Sequence, residues 1–200
     1  MANRRTGEEN VSPMGRTVAA GASAPHPEPH PELHPEPHPE PHAGGGSAPR
    51  PSWSLIAAFT LGVLVVGGAI GATNAPDEWY RALQKPPWNP PDWVFGPVWT
   101  VLYAMVGYAG ARVFALEGRP GPLTRAWALQ MGLNFLWTPL FFSARSLPLA
   151  GVEIAFLLAA VIAFMVAVRG RDRLSLWLFV PYAAWVGFAS VLTWTIWGMN

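Results

Sequence analysis

The feature that most constrains this chain is a set of long apolar segments that contain almost no charged residues. The five segments are residues 53–75, 94–111, 126–144, 146–168 and 174–200. Only the fourth contains a charged side chain, Glu153. About 20 helical residues cross the roughly 30 Å hydrocarbon core of a bilayer, where the backbone must satisfy its own hydrogen bonds. The sequence therefore predicts an all-α membrane protein, a five-transmembrane-helix bundle, whose short connections make consecutive helices antiparallel.

The amino-terminal quarter has a different composition. All five histidines lie before residue 51 and all eleven tryptophans lie after it. The run HPEPHPELHPEPHPEPH, residues 26–42, has too few apolar residues for a core, so we predict a disordered Pro/His-rich tail over 1–51 and a transmembrane domain over 52–200. Its histidines recur at every fourth residue, which leaves weak metal capture open beside a solvated tether. Because polyproline repeats every three residues, this spacing does not align the rings, and we predict no metal site.

Composition also excludes several classes of function. The chain has no cysteine, which rules out disulfides and thiolate catalysis. Its net charge of +1 offers no basic surface for nucleic acid. No pair of acid and base residues and no activated nucleophile is evident in the segments.

The basic residues predict an orientation. Seven arginines lie near the ends of the segments on the side of the amino terminus, against three basic residues on the opposite side: Arg50, Arg112, Arg119, Arg125, Arg169, Arg171 and Arg173 against Arg81, Lys85 and Arg145. The positive-inside rule then puts the tail in the cytoplasm. Because the predicted spans are helical, we expect the bacterial inner membrane.

The first connection is unusual for a membrane loop. Residues 76–93, PDEWYRALQKPPWNPPDW, are rich in proline and tryptophan. Proline fixes its own φ and restricts the preceding residue, so this loop is built to hold a shape. Taken singly, Trp79, Trp88 and Trp93 have an alternative role as aromatic residues at the lipid headgroups.

Aromatic and polar residues converge beneath this loop. Trp99 and Tyr103 are four residues apart and share one helix face. Asn134 lies near the middle of its segment, where an unpaired amide is costly, so it needs an interhelical hydrogen bond or a ligand. Trp185 lies far from either interface, and Ala189 follows it by one helical turn. These residues predict a slot for a planar apolar molecule.

The charged residues near the slot each have two possible roles. Arg81 and Lys85 could bind the acidic groups of a planar ligand or anchor the loop at the interface. Glu153 is a functional candidate as an acid within a span, yet a hydrated or interhelical hydrogen-bonding role is favoured by its position near the helix end. A single acid without a relay or internal repeat is poor support for a proton-coupled transporter.

Three separated motifs carry a family resemblance. They are WYRALQKPPWNPPDWVFGPVWTVLYAMVGYA, LNFLWTPLFF and PYAAWVGFASVLTWTIW. Over residues 53–200 the chain resembles the TspO/MBR family, the tryptophan-rich sensory proteins related to the mitochondrial translocator protein. The resemblance implies a homodimeric five-helix bundle that binds porphyrin or haem as a ligand, requires no cofactor, and closes its pocket with the first loop.

The residues and the resemblance together predict the ligand site. Its members are Trp79, Tyr80, Arg81, Lys85, Trp99, Tyr103, Asn134, Phe135, Trp137, Trp185 and Ala189. The resemblance implies that Trp99 and Trp185 would act in light-dependent porphyrin breakdown, if that activity exists. Two departures matter: Thr193, Trp194 and Gly198 replace the sterol-recognition pattern of animal members, and Asn89 replaces a histidine. A porphyrin receptor or sensor is the leading hypothesis, and photochemical degradation and ligand transport are the alternatives.

Overall fold

The computed structural model describes residues 50–200. The predictions of a disordered tail and of weak metal capture by its histidines concern residues outside this range. Within it, the predicted all-helical architecture is confirmed. The elements are α1 (Trp53–Thr73), α2 (Glu78–Ala82), α3 (Asp92–Glu117), α4 (Pro122–Thr138), a π-helical turn (Pro139–Ser143), α5 (Leu147–Val168) and α6 (Arg173–Met199).

Four helices of the described part are long and apolar enough to cross a membrane, namely α1, α3, α5 and α6. The predicted third segment, 126–144, is different. Its α-helix has only 17 residues, and five residues of π-helix follow directly, in which the Ala144 amide donates to the Pro139 carbonyl at 2.8 Å. Helix length therefore confirms four of the five predicted spans. The α-helix of the remaining segment is too short by itself, because the wider π-helical turn interrupts it at Pro139.

One end of the bundle is closely packed. We call it the base; it carries the turns at 118–121 and 169–172. Val106, Val113, Phe164 and Phe179 are fully buried there. Helices α1 and α3 touch through their backbones, since a Cβ on Gly107 would lie 2.7 Å from the Thr60 Cα. Only glycine permits this approach.

An ion pair fastens the base. The Arg112 Nε and Nη2 each donate to the Asp172 carboxylate at 2.8 Å, and the Ser175 hydroxyl donates to it at 2.6 Å. Burial by itself would raise the pKa of Asp172, but these hydrogen bonds outweigh it and hold the pKa below its ordinary value. The carboxylate is therefore charged at neutral pH and links α3 to the start of α6.

A carboxylate also starts α4. Glu117, the last residue of α3, accepts hydrogen bonds from the amides of Gly121, Leu123 and Thr124 and from the Thr124 hydroxyl, at 2.7 to 3.1 Å. Gly121 provides no side-chain cap, so Glu117 satisfies the first amides of the helix instead. This explains why α3 and α4 extend beyond the apolar segments.

The opposite end carries the cap, residues 76–91, which contains α2. Its Tyr80 is 4% exposed and packs against Phe141 and Phe142 of the π-helical turn. Asp77 bonds the Tyr80 amide and pairs with Arg145 at 2.7 Å, and these contacts hold the pKa of Asp77 below its ordinary value. These contacts hold the cap against the bundle.

The carboxyl end of α6 fastens the cap at a second point. The Gln84 amide donates to the Asn200 side-chain oxygen at 3.0 Å, and the Asn200 amide nitrogen donates to the Gln84 carbonyl at 3.0 Å. The same nitrogen also donates to the Ile196 carbonyl at 2.8 Å. One side chain therefore ties the middle of the cap to the last turn of α6.

Candidate functional site

A cavity of about 390 Å³ lies beneath the cap. It is bounded by residues of α1, α3, α4, the π-helical turn and α6. The volume falls within the range of roughly 300 to 1,000 Å³ that is typical of small-molecule sites. Aromatic rings form much of its wall: Tyr80, Phe95, Trp99, Tyr103, Trp137, Phe141 and Phe142.

Two pairs of rings line the cavity. Trp99 and Tyr103 lie 5.1 Å apart with their planes tilted by 35°. Trp137 and Phe141 are stacked at 5.0 Å and 29°. Because the first pair belongs to α3 and the second to α4 and the π-helical turn, the cavity has aromatic walls from separate parts of the bundle. Such walls suit a flat apolar ligand.

Tyr103 is fixed by two contacts. Its hydroxyl donates to the Asn134 side-chain oxygen at 2.9 Å, which links α3 to α4. Its ring lies against Gly67 of α1, where a Cβ would collide with the Tyr103 ring. Asn134 is 3% exposed and does not line the cavity, so of the two predicted roles the interhelical hydrogen bond is the one observed.

The basic residues predicted at the site lie outside the cavity. Arg81 is exposed, and the Lys85 ammonium sits 4.5 Å from the centroid of the Tyr80 ring. Lys85 also donates to the carbonyls of Arg81 and Leu83 at 3.3 and 3.2 Å. The charged side chain that does line the cavity is acidic, Asp92. The contacts of Lys85 are those of a residue that shapes the cap.

Five of the predicted residues line the cavity: Tyr80, Trp99, Tyr103, Trp137 and Ala189. The other six lie outside its wall: Trp79, Arg81, Lys85, Asn134, Phe135 and Trp185. Several of these support the wall from behind. Phe135 packs on Tyr103 at 6.0 Å, Trp79 on Phe141 at 6.0 Å, and Trp185 on Phe95 at 5.9 Å.

Trp185 and Glu153 have unsatisfied buried polar atoms. Within residues 50–200, neither the Trp185 indole nitrogen nor either Glu153 oxygen has a hydrogen-bond partner. The hydrogen-bonding role favoured for Glu153 from the sequence is therefore not observed in this part of the chain. The described residues also contain no cluster of His, Cys, Asp or Glu that could hold a metal ion.

Part of the wall was not predicted from the sequence. Phe95, Phe141 and Phe142 contribute rings, and Gly68, Gly71 and Gly96 contribute surface without side chains. The motif that supplied Trp137 continues as TPLFF, so its two phenylalanines were a readable signal. The glycines gave no comparable signal, because glycine in an apolar segment also serves ordinary helix packing.

These features define a class: a helical integral membrane protein with an aromatic, ligand-sized cavity beneath a proline-rich loop. Comparison with known proteins is more specific. The family model described as the TspO/MBR family matches residues 55–198. The chain therefore belongs to the TspO/MBR family.

Individual relatives agree with this assignment. Protein CrtK of Rhodobacter capsulatus is 39% identical over 136 residues, covering 66% of this chain and 85% of the relative. The tryptophan-rich protein TspO of Chlorobaculum tepidum is 38% identical, with 73% and 96% covered. The translocator protein of Homo sapiens is 35% identical, with 75% and 92% covered. The chain is thus similar to both bacterial and animal members across most of their length.

Proposed function

We propose that this chain is a membrane receptor or sensor that binds porphyrins and similar flat hydrophobic ligands in the cavity beneath the cap. The observation that carries the proposal is the pairing of aromatic walls, Trp99 with Tyr103 and Trp137 with Phe141, around about 390 Å³ of space. Aromatic stacking contributes about 0.5 to 1.5 kcal/mol per pair beyond the burial of area. Membership of a family with members called sensory proteins supports the same function.

The membrane arrangement is part of the proposal. We infer that α4 and the π-helical turn together form one more span, third in chain order, which brings the number to five. Their 17 and five residues follow one another without a break. We further propose a homodimer in the bacterial inner membrane with the tail in the cytoplasm. The clustering of arginines at the base supports this orientation.

Titration of tryptophan fluorescence with protoporphyrin tests the binding proposal. We expect saturable quenching of the wild-type chain in lipid nanodiscs. Trp99→Phe should weaken binding about three- to tenfold, and the double variant Trp99→Phe with Trp185→Phe should weaken it further, because a smaller ring stacks less well. Trp127→Phe is the matched control, since Trp127 lies outside the cavity and donates to the Val106 carbonyl. Equal affinity in all four proteins would show that the proposed aromatic wall does not bind the porphyrin.

Transport of the ligand is the second candidate. Several relatives, including those of Ovis aries and Homo sapiens, are called translocator proteins, which favours it. A carrier requires the cavity to communicate with both sides of the membrane, yet the base is closely packed. Flux of protoporphyrin into sealed vesicles separates the candidates: a receptor binds without flux above that of empty vesicles, whereas a carrier gives flux that saturates.

A further inference from the structure

The cavity is open on one side, between α1 and α3. Five of its lining residues are exposed, and all five belong to the edges of these two helices: Gly68, Gly71, Asp92, Gly96 and Thr100. The lining residues of α4, the π-helical turn and α6 are buried or half-buried. The exposed side of the cavity is therefore a lateral gap, defined by these five residues.

The gap has a simple structural origin. Towards the base, α1 and α3 touch at Thr60 and Gly107. Gly71 and Gly96 each lie eleven residues further towards the cap on their antiparallel helices, so they face the gap at about the same level. A Cβ on either glycine would have nothing within 4 Å. Towards the cap from this backbone contact, the edges of the gap therefore carry no side chain at Gly68, Gly71 and Gly96.

The gap lies at the depth of lipid. With 21 residues, α1 is about 31 Å long, close to the hydrocarbon thickness of a bilayer. Gly68 is five residues from its end at Thr73, hence about 8 Å inside. The Thr100 hydroxyl at the other edge donates to the Gly96 carbonyl at 2.9 Å, so it is already satisfied. Apart from the Asp92 carboxylate at the first residue of α3, the edges of the gap consequently present an apolar surface.

The route from water through the cap, in contrast to the gap, is closed. Tyr80 is 4% exposed, and the Asn200 side chain fastens Gln84 by two hydrogen bonds. A ligand that arrived from water would have to break these contacts. One dissolved in lipid meets the three glycines and Thr100, with Asp92 only at the end of the gap nearest the cap. We infer that the cavity is loaded directly from the bilayer, through the gap between α1 and α3, by an uncharged flat molecule dissolved in lipid. This inference rests on the proposed ligand-binding function.

Stopped-flow quenching with protoporphyrin IX dimethyl ester, an uncharged probe, tests the route in nanodiscs. Gly71→Leu and Gly96→Leu place a side chain in the gap, where a Cβ has nothing within 4 Å, and they improve helix propensity. We expect association and dissociation rate constants to fall together, each about tenfold, because a narrowed passage raises the barrier in both directions. A change in the dissociation constant is measured separately, because both glycines also line the cavity. Gly62→Leu is the control, since Gly62 has equally open space on α1 but lines no part of the cavity.

Asn200→Ala tests the alternative route, which is entry through the cap. Because it loosens the cap and leaves the gap intact, we expect an unchanged association rate. Faster association in Asn200→Ala together with normal rates in Gly71→Leu and Gly96→Leu would overturn lateral loading in favour of entry through the cap. Weaker binding of the leucine variants at an unchanged association rate would also overturn it, because the glycines would then belong only to the wall.

The two proposals fail in distinguishable ways. Absence of saturable quenching in the wild-type chain would overturn ligand binding, and lateral loading with it. Normal wild-type binding combined with rates in the leucine variants equal to those of Gly62→Leu would overturn lateral loading alone.

Discussion

The two ends of the bundle differ in how their glycines and charged residues are used. At the base, Gly107 brings two helices into backbone contact, and Arg112 and Asp172 satisfy each other. Beneath the cap, Gly71 and Gly96 border empty space and aromatic rings surround a cavity. The same residue type therefore closes one end and opens the other. Substitutions at the base should change stability, whereas substitutions around the cavity should change ligand binding.

The largest expected effect is on the ion pair of the base. Asp172→Asn removes the charge that Arg112 pairs with, so we expect a loss of about 3 kcal/mol in the free energy of unfolding and little change in ligand affinity. Thermal unfolding followed by circular dichroism measures the loss. Asp77→Asn is the control, because its pair with Arg145 is more exposed and solvent screens it, so we expect a much smaller loss. Equal stability of the two variants would contradict the expected difference between the ion pair of the base and that of the cap.

The backbone contact of the base comes next. A methyl group at Gly107 meets the Thr60 Cα, which cannot move without shifting α1, so Gly107→Ala should destabilise the fold by about 2 kcal/mol. Gly68→Ala meets nothing within 4 Å and should leave stability unchanged or slightly raised. Chemical unfolding of both variants in detergent compares them. Similar losses at the two glycines would mean that the ends do not differ in packing.

Acid should weaken the base through Asp172. The folded-state pKa of this carboxylate is lowered, so its stabilising contribution is complete above about pH 4 and is lost as the pH falls further. We expect a flat thermal midpoint from pH 7 to about pH 5 and a decline below about pH 4. The decline should be shallower in Asp172→Asn. An equally steep decline in that variant would assign the acid sensitivity to other carboxylates.

The paired tryptophans sharpen the comparison within the cavity region. Trp99 lines the cavity, whereas Trp185 contacts it through Phe95, so Trp99→Phe should weaken porphyrin binding about three- to tenfold and Trp185→Phe less than about threefold. Illumination of the bound complexes tests the predicted photochemistry. A product that requires protein, light and both indoles would support it, while bleaching identical to that of porphyrin in detergent would exclude it.

The smallest effects concern the basic residues of the cap. Arg81 and Lys85 lie outside the cavity wall, so Arg81→Ala should change the affinity for the uncharged porphyrin ester less than about twofold. Lys85→Ala removes two hydrogen bonds to cap carbonyls and should act mainly on the dissociation rate. Titration with the free diacid provides the matched measurement. A selective loss of diacid binding in Arg81→Ala would restore the predicted contact with acidic groups.

The sequence predicted the helices well because apolar length determines them. Its prediction of 53–75 matches Trp53–Thr73 closely. The prediction of 94–111 fell short of Asp92–Glu117, because Arg112 ended the charge-free run and Glu117 lies beyond it. In the structure both are satisfied, Arg112 by Asp172 and Glu117 by the first amides of α4. Because Asp172 lies far from Arg112 along the chain, a local count of charges cannot identify the two as partners.

The site was predictable in part for a related reason. Spacing identified Trp99 and Tyr103 as one face, and both line the cavity. Which of two nearby aromatic residues reaches the cavity depends on the rotation of each helix, so Phe95 rather than Trp185 lines it. The gap depends on the distance between two helices, which a sequence of glycines does not specify.

The most direct measurement is to fill the cavity and titrate again. Ala189 lines the cavity, and Ala184 is exposed on the same helix outside it. If the cavity holds the ligand, Ala189→Phe should weaken protoporphyrin binding more than about tenfold while Ala184→Phe binds as the wild type does. Equal, undiminished binding by both variants would contradict the central claim that the space beneath the cap is the ligand site.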